Sequence, residues 1–203
     1  MTRSIFRAGR LVAVATGLSM LAACVSIGGD SDPPEQLLTF TPRAVAEAGT
    51  TASGDAANSI QVLEPTVDDR LNVKRVPVQV SDTGVAYLED AFYVEKPARL
   101  FQHLLAETVR AKTGRLVIEG TDPAIAPGMR LHGRISEMGF DAPSQSVTVT
   151  FDAIRLASDG SAVARRFTSR IEGIAPYAAN VAPALNEAAN DVAIEAADWL
   201  TGG

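Results

Sequence analysis

The sequence of 203 residues contains few of the residue types that build reactive or metal-binding sites. It has one Cys and two His, and aromatic residues make up only 5% of the chain. A single Cys excludes an intramolecular disulfide framework and any metal site with several Cys ligands, and two His leave little material for an imidazole site. No Gly-x-x-x-x-Gly-Lys-Ser/Thr loop occurs to bind ATP phosphates, and no Gly-x-Ser-x-Gly elbow presents a serine nucleophile.

The chain also has fewer basic than acidic residues, and its formal net charge is −6. This value understates the negative charge of the part that follows the N-terminal segment. Three of the 18 basic residues, Arg3, Arg7 and Arg10, lie in the first ten positions, whereas no Asp or Glu precedes Asp30. The remaining 15 basic and 24 acidic residues give the rest of the chain a net charge of −9. Because binding to a phosphate backbone requires a Lys- and Arg-rich surface, we predict that nucleic acid is not a partner.

The N-terminal segment has the layout of a secretory signal. A basic stretch at residues 1–10 precedes a mostly apolar run at residues 11–23. At about 1.5 Å per residue this run spans roughly 20 Å, which is less than the roughly 30 Å hydrocarbon core of a bilayer. We therefore predict that residues 1–23 are a cleaved signal peptide and not a permanent membrane-spanning helix.

The apolar run ends in Leu21-Ala22-Ala23-Cys24, which resembles the lipobox of bacterial lipoproteins. The resemblance implies cleavage before Cys24 and attachment of diacylglycerol and palmitate to the new N-terminal residue. Two or three acyl chains anchor a protein stably to a membrane. Val25 follows the Cys, and by the sorting rule of enteric-type lipoproteins this implies the periplasmic face of the outer membrane, with the inner membrane as the alternative. The competing interpretation is an unmodified Cys24 after a plain secretory signal.

A tether and one folded domain follow the lipobox. Residues 24–36 are small and polar and contain Pro33-Pro34, which predicts a flexible tether. Residues 37–203 form the domain, in which residues 44–59 predict a mobile loop. Alternating apolar residues predict about seven strands, at 60–64, 74–80, 86–94, 115–119, 129–138, 146–156 and 163–174, with a further short strand at 37–40.

Two segments have the apolar periodicity of amphipathic helices. The first covers residues 97–112 and begins at Pro97, and the second covers residues 181–200 with Asn180 as its cap. Pro77 cannot donate to a ladder, so its strand lies at a sheet edge or carries a bulge. The pattern predicts an α/β (α+β) two-layer sandwich in which two amphipathic helices pack on a mostly antiparallel sheet.

The order of these segments resembles the ABC-type transport auxiliary lipoprotein family over about residues 37–200. The most specific part is residues 75–101, in which Arg75 opens a strand, Tyr87 follows, and Pro97 opens a helix. Phe92 or Tyr93 occupies a position that the family usually gives to Trp. The resemblance implies a lipid-anchored periplasmic accessory subunit of a mammalian-cell-entry (MCE) type ABC transporter, which moves phospholipids between envelope membranes.

The same resemblance implies the partners, which are an MCE-domain protein, an ABC permease and an ABC ATPase. The protein would be a non-catalytic adaptor, with no cofactor beyond the acyl lipid on Cys24. The alternative is a lipoprotein that itself carries a lipid or another apolar ligand in a groove between sheet and helices. A deep apolar cavity would favour the carrier, and a packed core with an apolar surface strip would favour the adaptor.

Several side chains are candidates for a site. The aromatic residues Tyr87, Phe92 and Tyr93, with Phe101 nearby, either belong to the core or dock the MCE partner. His103 and His132 lie on polar faces, and an enzyme would require one of them beside a carboxylate and a hydroxyl. The acidic groups Asp68-Asp69-Arg70 and Glu89-Asp90 are interpreted as solvated charge.

Overall fold

The computed structural model describes residues 36–52, 54–122 and 125–202. The signal peptide, Cys24 and nearly all of the tether therefore lie outside the described residues. Within the described part of the chain the strands are β1 (Leu37–Leu38), β2 (Ile60–Val62), β3 (Thr66–Val67), β4 (Arg75–Gln79), β5 (Val85–Tyr93), β6 (Val117–Glu119), β7 (Met129–Asp141), β8 (Ser146–Ala157) and β9 (Ala162–Glu172). The helices are α1 (Pro97–Thr113) and α2 (Ala178–Leu200), and short 3-10 turns cover Ala56–Asn58 and Asp69–Leu71.

The sheet is organised around the long strand β7. One edge of β7 pairs antiparallel with β8, and β8 pairs antiparallel with β9. The other edge pairs in parallel with three short strands in succession, β2, β3 and β4. β5 extends the sheet antiparallel to β4, while β1 and β6 add parallel pairs to β5 and β2. The long pairings are thus antiparallel as predicted, and the parallel ones are short.

Pro77 illustrates how the sheet tolerates a proline inside it. Its strand β4 pairs with both β5 and β7, so this strand is not an edge of the sheet. The register of β4 against β5 shifts between Arg75 and Pro77, which is the bulge that the sequence offered as the other explanation.

Both predicted helices are present, with small changes at their ends. α1 begins at Pro97 and ends at Thr113, and it is capped by Gly114, whose φ of 63° is the left-handed conformation that favours glycine. α2 begins three residues earlier than predicted, and its N-cap is Tyr177 and not Asn180. The Tyr177 carbonyl accepts hydrogen bonds from the N–H groups of Asn180 and Val181, so Asn180 lies within the first turn.

The helices cover one face of the sheet and pack against each other. The predicted apolar stripes of both helices are buried there, and the Phe101 ring of α1 lies 5.2 Å from the Phe151 ring of β8. β7 carries a bulge between Ile135 and Glu137, at which the buried positions change from odd to even numbers and then remain even. The residues buried on the helix side are therefore Leu131 and Ile135 before the bulge and Met138 and Phe140 after it. The two-layer α+β prediction is therefore confirmed. The opposite side of β4, β7, β8 and β9 is called the open face below.

Asn190 of α2 fixes the segment that follows β1. This residue is fully buried, its amide donates to the carbonyl of Thr41, and its Oδ1 accepts from the N–H of Arg43 at 2.7 Å. The N–H of Thr41 donates to Oδ1 of Asn186. Residues 41–43 are thus held on α2 by hydrogen bonds with the side-chain amides of two asparagines.

Candidate docking surface on the open face

Two of the four aromatic candidates belong to the core. Phe101 is fully buried against Phe151, and Tyr93 is 2% exposed, with its ring edge-on to Phe40 at 5.9 Å. Burial raises the pKa of the Tyr93 phenol far above its ordinary value. Of the two alternatives that the sequence left open, Tyr93 therefore belongs to the core, because its ring has no free surface to offer a partner.

The other two rings lie at the surface around one cation. Tyr87 and Phe92 are half-buried, and the exposed Arg75 guanidinium lies 5.1 Å from the Tyr87 centroid and 5.5 Å from the Phe92 centroid. These distances are within the range of cation–π attraction. We call Arg75, Tyr87 and Phe92 the Arg75 cluster.

A bulge in β5 brings the two rings to the same cation. Arg75 pairs with Phe92 and Pro77 pairs with Tyr87, so one residue of β4 faces four residues of β5 between these pairs. Within the bulge Asp90 has a φ of 53°, a left-handed conformation that Asp tolerates better than most residues. Leu88 is buried while Glu89 and Asp90 are exposed, which agrees with their interpretation as solvated acids.

Sequence patterning could not reveal this cluster. Alternation alone places Tyr87 and Phe92, five positions apart, on opposite faces of a regular strand. The register shift puts both of them beside Arg75. The only sequence signal for the shift is Pro77, which predicts a bulge without its position or size.

Exposed aliphatic side chains flank the cluster. Val80 and Val85 close the β4–β5 hairpin and are 48% and 44% exposed, and Leu37, opposite Phe92 on β1, is 53% exposed. Among the described strands β1 pairs with β5 only at Phe92 and Tyr93, so the outer edge of β5 is unpaired over the rest of the strand. This region therefore combines apolar groups with an accessible strand edge.

The centre of the open face carries a row of alternating charges. Asp152 of β8 lies between Arg134 of β7 and Arg166 of β9 in the register of the three strands, and Arg134 pairs with Asp68. Hydrogen bonding from Arg166 lowers the pKa of Asp152, with a smaller contribution from the charge of Arg134. The row is balanced in charge, so it forms a cross-strand network and not a strong anion site.

Surface depressions on the described part of the domain are open to solvent. One of about 160 Å³ runs between Arg70, Pro77 and Arg170, and a second of about 430 Å³ lies beside His132, Ile154 and Arg166. A third, of about 500 Å³, lies between α1 and β6 and is lined by His103, Glu119 and Thr121 among others. Charged side chains line each of them, which does not match a deep apolar lipid site.

His103 is an exposed histidine, as the sequence predicts. Its side chain is 48% exposed, and its Nδ1 lies 2.7 Å from Oε2 of Glu119, whose other oxygen accepts from Arg110 at 3.3 Å. His132 lies on the open face opposite Ile154. Among the described residues neither ring is hydrogen bonded to a Ser or Thr hydroxyl, and no group of His, Cys, Asp and Glu is arranged to hold a metal ion. In the same part of the chain no helix is long and apolar enough to span a bilayer.

The fold and the surface define a two-layer α+β domain with charged and aromatic side chains on an uncovered sheet face. The chain belongs to the ABC-type transport auxiliary lipoprotein component family, whose profile matches residues 39–197. This confirms the resemblance drawn from the sequence. Membership identifies the chain as an accessory lipoprotein of ABC-type transport, and it indicates a membrane-anchored periplasmic protein associated with an ABC-type transporter.

Solved structures share the fold at low sequence identity. A protein from Xanthomonas campestris is 18% identical, with a TM-score of 0.64, and the match covers 81% of this chain and 94% of that one. The crystal structure of an uncharacterized protein is 11% identical, with a TM-score of 0.62 and coverage of 74% and 96%. No curated protein matches the chain significantly. At such identities the likeness extends to the fold alone.

Proposed function

We propose that the protein is a lipid-anchored periplasmic accessory subunit of an MCE-type ABC transporter, and that it acts as a non-catalytic adaptor while the transporter moves phospholipids between envelope membranes. The observation that carries the proposal is the family match over residues 39–197. The lipobox ending in Cys24 supports the anchor. The absence of an ATP-binding loop from the sequence leaves ATP hydrolysis to partner subunits.

The packing of the domain supports an adaptor more than a lipid carrier. The large side chains between sheet and helices are buried, with Phe101 against Phe151 and Trp199 against Phe167, whereas a carrier requires a deep apolar cavity in that position. The apolar and aromatic groups that remain accessible are on the surface, around the Arg75 cluster.

The Arg75 cluster is the proposed docking surface for the MCE-domain partner. Interface hot spots are enriched in Tyr and Arg, and a ring held by a neighbouring cation loses little conformational entropy on binding. Tyr87 and Phe92 are half-buried, so each retains a face for a partner while the rest of the ring is fixed. Val80 and Val85 extend the apolar contact along the β4–β5 hairpin.

The anchor limits the distance from the membrane at which the Arg75 cluster can contact a partner. Within the proposed tether of residues 24–36, eleven residues, 25–35, follow the anchor residue Cys24 and precede Gln36. Fully extended they reach at most about 39 Å, and their average reach is much shorter. We propose attachment through Cys24 to the periplasmic face of the outer membrane, so that the adaptor contacts the transporter close to that membrane.

Affinity purification of the acylated protein from native membranes tests the proposed function. We expect an MCE-domain protein and its permease to be recovered with it. Repeated recovery of neither subunit would overturn the assignment to this class of transporter. Intact-mass analysis of the same sample tests the anchor, because the mature chain must begin at an acylated Cys24.

A variant pair tests the docking surface. Tyr87→Ala with Phe92→Ala should weaken the affinity for the recovered MCE-domain protein by about tenfold or more, the loss expected from removing hot-spot rings. The matched control is Tyr177→Ala, which removes a tyrosine ring that is 67% exposed at the start of α2. Unchanged affinity of a folded double variant would exclude this surface.

A further inference from the structure

Strand β9 forms a long free edge at the other side of the sheet. It contains eleven residues and, among the described strands, pairs with β8 only, whereas the outer side of β5 is partly covered by β1. No Pro, Gly or register shift interrupts β9. Residues 162–166 are all exposed, as are Thr168, Arg170 and Glu172. α2 packs on β9 from the helix side, through Trp199 against Phe167 and Asp191 against Ser169, and leaves the edge accessible.

The hairpin before β9 determines which backbone groups point outward. The N–H of Ala157 donates to the carbonyl of Ser161 at 2.9 Å, which makes these residues a hydrogen-bonded pair. Hydrogen-bonded and non-hydrogen-bonded pairs alternate along an antiparallel ladder. Since the register continues without a shift, odd-numbered residues from Val163 onward bond to β8. Ala164, Arg166, Thr168 and Arg170 therefore direct their N–H and C=O groups to the free edge.

Such an edge is normally protected in a monomeric protein. The common devices are a short strand, a proline, a bulge, charged side chains or a covering loop. Within residues 36–52, 54–122 and 125–202, charge is the only such device at β9, which carries it as Arg165, Arg166 and Arg170 against the single acid Glu172. Arg166 pairs with Asp152 of the neighbouring strand, and Arg170 contacts Glu172 at 3.4 Å. Arg165 contacts the Phe167 ring at 5.2 Å and forms no ion pair with another described residue.

These arginines select the kind of strand that can pair with the edge. In a parallel, in-register pair of two β9 strands each arginine would lie beside its own copy, which is unfavourable across a ladder. A strand with carboxylates would instead meet the arginine excess of β9, in which Arg165, on the helix side, has no ion pair with another described residue, while Arg166 and Arg170, on the open face, already contact Asp152 and Glu172. Backbone pairing would supply the affinity, and the charges would supply the selectivity.

We propose that the free edge of β9 binds an extended acidic segment of a partner protein by strand addition, through the outward backbone groups of Ala164, Arg166, Thr168 and Arg170. This second interface is on the opposite side of the sheet from the Arg75 cluster and does not depend on the proposed transporter partner. The domain would thereby present two separate docking surfaces.

Residue-resolved amide hydrogen exchange of the full-length acylated protein tests the proposal. The probe is a blocked eight-residue peptide that alternates Glu with Val, and the control peptide replaces each Glu with Lys. With the Glu peptide we expect exchange of the four outward amides to slow by about tenfold, which corresponds to about 1.4 kcal/mol of protection. Added salt should reduce the effect. Protection by both peptides alike, or by neither, would overturn the proposal.

Two pairs of variants separate backbone pairing from charge. Ala164→Pro removes an outward N–H without breaking a bond to β8, and should abolish protection, whereas Ala164→Thr keeps the N–H and should retain it. Arg170→Glu should weaken protection by the Glu peptide, and Arg170→Lys should not. Retained protection in folded Ala164→Pro would exclude strand addition.

The protein without peptide provides the last test. If protection of these amides rises with protein concentration, a second copy occupies the edge and the proposal is wrong. Recovery of the MCE-domain protein by Ala164→Pro should be unchanged, so a failure of strand addition is distinguishable from a failure of the proposed function.

Discussion

Arg75 and Phe92 lie directly opposite each other on β4 and β5, and the Arg75 guanidinium is 5.5 Å from the centroid of the Phe92 ring. Tyr87 reaches the same guanidinium only because the β5 bulge inserts extra residues between the two rings. The surface proposed to dock a partner is thus built by the register of two strands. Its energetics can be measured in the isolated protein, without any partner.

A double-mutant cycle on Arg75→Ala and Phe92→Ala measures this contact. The coupling free energy of unfolding should be about 0.5–1 kcal/mol, the range for a cation over an aromatic ring at an accessible site. Urea denaturation of the four proteins gives the value. A cycle between Arg75→Ala and Tyr177→Ala, which are not in the same cluster, should be additive. Zero coupling in the first cycle would show that ring and cation do not interact in solution.

The pKa of Asp152 predicts a pH-dependent contribution to stability. Arg166 lowers this pKa in the folded state, so the ionised carboxylate stabilises the fold at pH values above its unfolded pKa of about 3.9. The contribution is lost as the pH falls through the lower folded value. The stability advantage of the wild type over Asp152→Asn should therefore be full at neutral pH and disappear under acid conditions.

Urea denaturation at a series of pH values checks this prediction. Glu89→Gln controls for the loss of one negative charge, because Glu89 is exposed and forms no ion pair with another described residue. An Asp152→Asn difference that grows toward low pH would contradict the expected direction of the pH dependence.

Proline substitutions at two adjacent positions of β9 should destabilise the fold to different extents. Val163→Pro removes an N–H that bonds to β8 and leaves a carbonyl unpaired, which should cost about 1–3 kcal/mol of unfolding free energy. Ala164→Pro removes an N–H that points to solvent and should change stability much less. Urea denaturation of the two variants tests the alternation directly. Equal destabilisation would mean that the assignment of outward groups is wrong.

Gly133 is required by the close approach of β7 and β8. A Cβ at this position would lie 2.1 Å from the carbonyl oxygen of Asp152 and 2.8 Å from the Phe151 ring. Because backbone cannot move aside cheaply, Gly133→Ala should lower the unfolding free energy by about 1–3 kcal/mol. Gly54→Ala is the control, since its Cβ would meet its nearest neighbour at 3.9 Å. Thermal denaturation of both variants gives the comparison, and equal melting temperatures would refute the packing argument.

The periodicity of the sequence predicted the elements that bury one continuous face. The apolar stripe of α1 from Leu100 to Val109 and the alternation of β8 from Val147 to Ala153 both became buried as predicted. A stripe of this kind has only one favourable orientation, because exposing it to water is costly however the rest of the chain folds. The very short strands β1 and β3 lack such a pattern, and β3 was not predicted at all.

The sequence predicted less of the candidate docking surface than of the fold. The aromatic content of residues 87–93 indicated a special region, but the pattern could not separate Tyr93, which is in the core, from Tyr87 and Phe92, which are not. A bulge reverses the face to which every later residue points. Leu88 and Ala91, which lie within the bulge, are buried in the core, so the bulge is accommodated by packing against distant parts of the chain.

The sequence by itself determined the lipobox at Cys24 as a chemical motif, the two helices, the long strands and the acidic balance of the chain, because these depend on residues close together along the chain. Only the tertiary structure decided that β9 pairs with β8 alone among the described strands, that Arg75 lies beside two rings, and that Asp152 is held by Arg166. Strand order and register are set by contacts between residues far apart in the chain, which local hydrophobic periodicity does not encode.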